Sequence, residues 1–305
     1  MPARMLNAST RAIAVQILAD AKRSANDDTP GGVCYSLRSH LHFTVHMHRS
    51  FEDFPRGRCS ASIVDSTTTR ERTMEHRQNR FLKLLSATDF EALRPDLKVV
   101  DLPEDLMLIR VGDTVTNAYF THTATISLIV EFEGGERVEV ALIGSDSVLG
   151  AFSALGKPIG LMNAIVLLPG QASAIEMNRL RAAAHQSLAL RERLERHGQA
   201  LFVQAQQSAG CNAVHTVEAR LARWLLRVRD LCGENQFKLT LEVMAHMIGA
   251  RRNSVSMVAH ALQQKNFIRY SRGNVQIIDL DGLRRTACEC YAAVREQYAR
   301  LEIPE

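Results

Sequence analysis

The sequence predicts an α+β chain: a jelly-roll-like β-barrel, one long helix, then a winged helix-turn-helix. Three observations predict it. Leu241–His260 reads as two short helices joined by a glycine turn, with a β-hairpin pattern directly after it. Between Val99 and Ile175, short β-rich runs alternate with Gly/Asp turn signals, the spacing of a sandwich or barrel. Between these two regions, Leu188 to about Val214 runs as uninterrupted helix pattern.

In chain order, residues 1–73 carry no sustained period and are expected to be a disordered extension or a misassigned start, with the natural start near Met74. His40, His42, His46 and His48 form a loose cluster there, without cysteine or carboxylate at matching spacing, so no metal site is expected. Residues 74–187 are assigned to the barrel. A helix is predicted over Phe81–Leu93, and strands over Val115–Phe120, Thr125–Phe132, Arg137–Ile143 and Ala164–Leu168. Gly112-Asp113, Glu133-Gly134-Gly135-Glu136, Gly144-Ser145-Asp146 and Pro169-Gly170 punctuate them, and helix returns at Glu176.

Residues 188–214 form the long helix. Leu194, Gly198, Leu201, Ala205 and Ser208 alternate spacings of four and three, a heptad-like seam of small and apolar residues suited to a second helix; the competing reading lays this helix on its own barrel. Residues 215–305 hold the winged unit. Thr216 caps a helix whose apolar face is Val217, Leu221, Trp224, Leu225, Val228 and Leu231, ended by Gly233. Thr240 caps the first helix of the motif. Ala245 lies at the helix crossing, Gly249 at the turn, and Val255 and Val258 face back towards Met244 and Ile248. Arg251, Arg252, Asn253, Ser254, Ser256 and Met257 are left for the outer face of the second helix. Phe267–Tyr270 and Val275–Ile278 are the wing strands, joined by Ser271-Arg272-Gly273-Asn274.

Charge separates the two regions. Leu239–Gln276 holds five cations and one anion, whereas Val99–Gly150 holds nine acids and two arginines. A basic patch on a helix-turn-helix is the electrostatic footprint of DNA binding, with Arg269 and Arg272 set beside the phosphate backbone. The chain of 305 residues is 46% apolar, enough for about two domains with real cores. No run is long enough to span a bilayer and no apolar leader is present, so the expected location is the cytoplasm. The six cysteines (Cys34, Cys59, Cys211, Cys232, Cys288, Cys290) are scattered without a C-x-x-C pair and read as free thiols. No nucleophile–base pair or phosphate loop supports an enzyme, and no catalytic residue, cofactor or metal is expected.

The order of barrel, long helix and winged helix resembles the Crp/Fnr family of bacterial transcription regulators. The resemblance covers roughly Arg80 to Leu301. It is strongest over His215–Leu226 and Leu239–Asp279, and in the barrel it rests on Gly112-Asp113, Gly134-Gly135 and Gly144 to Gly150. It implies a homodimer with a cyclic-nucleotide-type sensor barrel, a dimerisation helix and a recognition helix reading a near-palindromic operator. Its implied partners are double-stranded DNA, a second copy of the chain, RNA polymerase and a small-molecule effector of unknown identity.

Departures from the family pattern matter. Ser147-Val148 stands where cyclic-AMP-binding members carry Gly-Glu, and Met162-Asn163 where they carry the Arg-Ser phosphate clamp. Methionine offers a cyclic phosphate no donor, so cyclic AMP is not the expected effector. Cys34 and Cys59 do not match the closely spaced N-terminal cysteines of the iron–sulfur members. On the recognition helix, Arg252, Asn253 and Met257 replace the Arg-Glu and following Arg of the best-known readers, which implies a different operator. The alternative function is a small-ligand signalling module acting through protein contacts without DNA; Arg251-Arg252 and the basic wing count against it.

Overall fold

The structure is a computed structural model and describes residues 76–301. The expectations for residues 1–73, the four-histidine cluster, Cys34, Cys59 and Met74 lie outside the described residues. Where one helix was predicted over Phe81–Leu93 there are two, α1 (Arg80–Lys83) and α2 (Ala87–Leu93). Ser86 causes the break: its hydroxyl accepts from the Asp89 amide at 3.0 Å and starts a new helix.

The barrel comprises β1 (Lys98–Leu102), β2 (Met107–Ile109), β3 (Asn117–Thr121), β4 (Thr125–Glu131), β5 (Arg137–Ile143), β6 (Val148–Leu149), α3 (Ala151–Leu155), β7 (Asn163–Leu168) and β8 (Gly170–Glu176). The strands form two antiparallel sheets, ordered β1-β8-β3-β6 and β2-β7-β4-β5. Ile126, Leu128, Ile143 and Val166 of the second sheet share a core with Leu102, Leu149 and Ala172 of the first. Residues 125–129 of β4 are all buried. A strand at the surface of a barrel would alternate; this one does not, because its outer face is covered as well.

The cover is the C-terminal unit. After α4 (Met177–Gln186) comes the long helix α5 (Leu188–Val214), started by the Ser187 hydroxyl on the Leu190 amide. Then follow α6 (Val217–Cys232), β9 (Gln236–Lys238), α7 (Leu241–Met247), α8 (Arg252–Gln264), β10 (Ile268–Ser271), β11 (Asn274–Ile277), α9 (Leu280–Thr286) and α10 (Cys290–Arg300). The predicted two-stranded wing gains β9 as a third strand, in the order β10-β11-β9. Trp224, Leu225 and Val228 of α6 and Met247 of α7 join Ile129, Leu142, Ile165 and Leu167 of the barrel in one apolar core. Arg227 of α6 meets Asp146 of the barrel at 2.9 Å, with the Asp146 side chain 1% exposed. Burial alone would raise the Asp146 carboxyl; Arg227 and the Ser147 hydroxyl outweigh it and hold it below the ordinary carboxylate range.

The seam read on α5 is turned towards its own chain. Leu194 packs in the core beneath α1 and α4, and Leu201 in the barrel core. Gly198 is there for α3: a Cβ at that position would stand 3.0 Å from the Phe152 ring. Ser208 is buried and Ala205 half-buried. Helix α10 closes over the same side, with Val294 and Tyr298 against Ala200 and the Gln204 amide 2.7 Å from the Tyr298 hydroxyl. The heptad spacing is real, but the barrel occupies that face. The exposed row is one residue round the helix: Glu195, Gln199, Phe202, Gln206, Ala209 and Ala213. Among the described residues no helix is long and apolar enough to cross a membrane.

Candidate nucleic-acid interface

Sequence sets the geometry of the helix pair. Thr240 caps α7 by accepting from the Val243 amide at 3.1 Å. The chain reverses at Gly249, where φ is +59°. A Cβ there would also stand 3.4 Å from Val138 of β5, so the turn lies against the barrel. Helix α8 presses Val255, Ala259 and Leu262 into the core, with Val258 half-buried. Its other side is open. Arg251, Arg252, Asn253, Ser256 and Met257 are exposed, Met257 to 75%, and Ser254 is half-buried.

The wing stands beside this face. Ser271 pairs with Asn274, leaving Arg272 and Gly273 as a two-residue turn, both with positive φ (+48° and +79°). That is the turn type whose twist suits a tight hairpin. It puts the Arg272 side chain at the tip, and Arg269 is exposed on β10. The Gln263 side chain accepts from the Tyr270 amide at 2.8 Å, which fixes the wing to the end of α8. Lys265 is engaged with Glu218 at 2.7 Å, so the cations turned outward are Arg251, Arg252, Arg269 and Arg272. Thr240 is itself exposed at the start of α7.

Sequence reasoning missed His260. It is exposed on the same row of α8 as Asn253, Ser256 and Met257, and 3.1 Å from the Gln264 amide. The helical spacing 253, 257, 260, 264 carried that signal. It also missed a side-chain cluster: Cys211 and His215, four residues apart, meet Cys288 and Cys290 with all four ligand atoms within 4.8 Å of one another. The C-x-C spacing was visible, but its partners lie more than seventy residues away.

In the barrel, Val148 is fully buried and Met162 lines a cavity of about 40 Å³ together with Ile109, Leu128 and Leu201. Asn163 faces elsewhere: its side-chain oxygen accepts from the Val111 amide at 3.0 Å. No cation lines that cavity.

The family model for the Crp-like helix-turn-helix domain matches residues 219–286, which run from α6 through α9. The chain carries a Crp-like helix-turn-helix domain. Solved structures agree on the fold around that Crp-like domain. A Crp/Fnr-family transcriptional regulator from Eubacterium rectale superposes with a TM-score of 0.54 at 14% identity, covering 69% of this chain and 98% of its own. FixK2 from Bradyrhizobium japonicum gives 0.55 at 14% identity, over 63% and 98%. A Crp/Fnr-family regulator from Thermus thermophilus gives 0.51 at 20% identity, over 62% and 98%. No curated protein sequence matches the chain. Helix α10 and the cysteine pair Cys288 and Cys290 lie beyond the matched domain.

Proposed function

We propose that the chain is a homodimeric transcription regulator that reads a near-palindromic DNA site through α8 of its Crp-like domain. The observation that carries this is the solvent-facing row Arg251, Arg252, Asn253, Ser256 and Met257, set on a helix whose opposite face is locked into the core. Arg252 reaches a guanine edge, Asn253 and Ser256 sit beside it, and Met257 suits a thymine methyl. Arg251 serves base or phosphate. Arg269 and Arg272 lie along the backbone, with Thr240 contacting phosphate from the start of α7. Ser254, half-buried behind the row, supports it. Dimerisation uses the open row of α5 around Phe202, Ala209 and Ala213, and sets the half-site centres about 34 Å apart.

The barrel's effector is not cyclic AMP, because a small apolar cavity next to Met162 supplies neither volume nor charge for a cyclic phosphate. Contact with RNA polymerase belongs to the same reading. The test is binding of genomic fragments and operator variants across a salt series. Sequence-selective binding with a steep salt slope is the expected result; the absence of any protein–DNA complex at low salt would overturn the reading.

A further inference from the structure

We infer that Cys211, His215, Cys288 and Cys290 form a structural zinc site that ties the end of the long helix α5 to the junction of α9 and α10. Three features carry this. The first is donor geometry. Cys211 Sγ lies 3.5 Å from Cys288 Sγ, and Cys290 Sγ 3.5 Å from His215 Nδ1. Tetrahedral zinc with its usual bond lengths has edges of about 3.8 Å between sulfurs and about 3.6 Å between sulfur and nitrogen. Three sulfurs and an imidazole exclude the oxygen-seeking cations calcium and magnesium. Four donors this close together encircle one ion, whereas thiolates spread further apart around a multi-iron cluster.

The second feature is the outer shell. His215 Nε2 is 3.0 Å from Glu289 Oε1, so that nitrogen keeps the proton and Nδ1 turns its lone pair into the cluster. The Gln207 amide donates to Cys290 Sγ at 3.0 Å, as a group stabilising a thiolate does. The third is charge. Arg220 and Arg223 are buried in α6 beside the cluster, each with an Nε that has no hydrogen-bond partner. Arg220 interacts electrostatically with Cys211 and Cys288, and Arg223 with Cys211. On binding, three thiols release their protons to solvent and hydrated zinc sheds its waters. Three Zn–S bonds and one Zn–N bond form, with no change of oxidation state. The site then carries one net negative charge, which the two guanidinium groups offset.

The ion would clamp the C-terminal extension outside the matched domain onto the helix proposed for dimerisation. The site stands independently of the DNA-binding reading, since its readouts need no DNA. The full chain, purified under reducing conditions from zinc-containing medium, is analysed for metal and sulfide, and its zinc is then exchanged for cobalt. The expected result is one zinc per chain and, with cobalt, the thiolate charge-transfer and intense visible bands of a tetrahedral site. Cys288→Ser and Cys290→Ser lose the metal, His215→Cys keeps it, and Cys232→Ser is unchanged. Glu289→Ala weakens affinity about 10–100-fold. If the cysteine variants fail to fold, the cobalt spectrum of the unaltered chain decides. Metal-free protein, a Cys211–Cys288 disulfide, bound iron with acid-labile sulfide, or an octahedral cobalt spectrum would each overturn the inference.

Discussion

Arg252 and Arg272 are both exposed cations in different backbone settings, and the proposed reading gives them different roles. Arg252 opens α8, the helix proposed to enter the DNA groove; Arg272 occupies a left-handed turn position at the wing tip. Arg252→Ala is expected to cost about 1–3 kcal/mol and to relax preference at one position of each half-site. Arg272→Asn keeps a residue that tolerates positive φ while removing the charge. It should weaken all sequences alike and reduce the salt slope by about one phosphate's share. Titrations against operator variants check both, and a reversed pattern would exchange the two roles. Glu139 matters for a different reason. It is buried between barrel and C-terminal unit, 2.8 Å from both the Ser127 hydroxyl and the Trp224 indole nitrogen. Burial pushes its carboxyl up to about 8, against the opposing pull of those hydrogen bonds and of Arg223 and Arg227. The folded protein therefore holds a proton that the unfolded chain releases at the ordinary glutamate value. Stability falls as pH rises between those two values. Glu139→Gln should raise Tm above pH 7 and flatten its pH dependence, measured by thermal melts across that window.

Among the elements, α5 shows how a spacing can be right and its face misassigned. The Leu194, Gly198 and Leu201 row packs inward, while Phe202 on the next row is 61% exposed. Glu195, Gln199, Phe202, Gln206, Ala209 and Ala213 repeat the same four-three rhythm with small residues towards the C-terminal end. In the proposed dimer, Phe202→Glu would put a like charge opposite itself across the two-fold axis. It is expected to weaken dimerisation by about 1–3 kcal/mol with little effect on the monomer's melting, since the site is exposed. Sedimentation across a concentration series measures this, and an unchanged dimer would place the contact elsewhere. Leu201→Glu should instead unfold the barrel.

For the whole molecule, the barrel and the Crp-like domain share one core and one buried ion pair. Asp146 is held ionised by Arg227, whose guanidinium also lies 5.1 Å over the Tyr298 ring. Asp146→Asn leaves that cation buried without its partner and should cost about 3–5 kcal/mol. The stabilisation is present above the ordinary aspartate value and is lost as pH falls through the lowered native value. Acid unfolding of the wild type should therefore be steeper than that of the variant, as followed by circular dichroism. The same core explains why β4 is buried on both faces over residues 125–129: one face meets the opposite sheet and the other meets Trp224 and its neighbours.

Local chemistry was legible in the sequence. Caps at Thr216 and Thr240, the Gly249 reversal, the wing turn and four barrel strands rest on residues within a few positions of one another. The exposed polar row of α8 followed from the same short-range periodicity. Tertiary structure decided what distance along the chain conceals. The three-residue strands β2 and β9 carry too few residues for a pattern and exist because partners pair with them. Which side of α5 is free depends on Phe152 and α10, elements that its own sequence does not encode. Cys211 and Cys288 are 77 residues apart, and only the packing of α10 back onto α5 brings their sulfurs together.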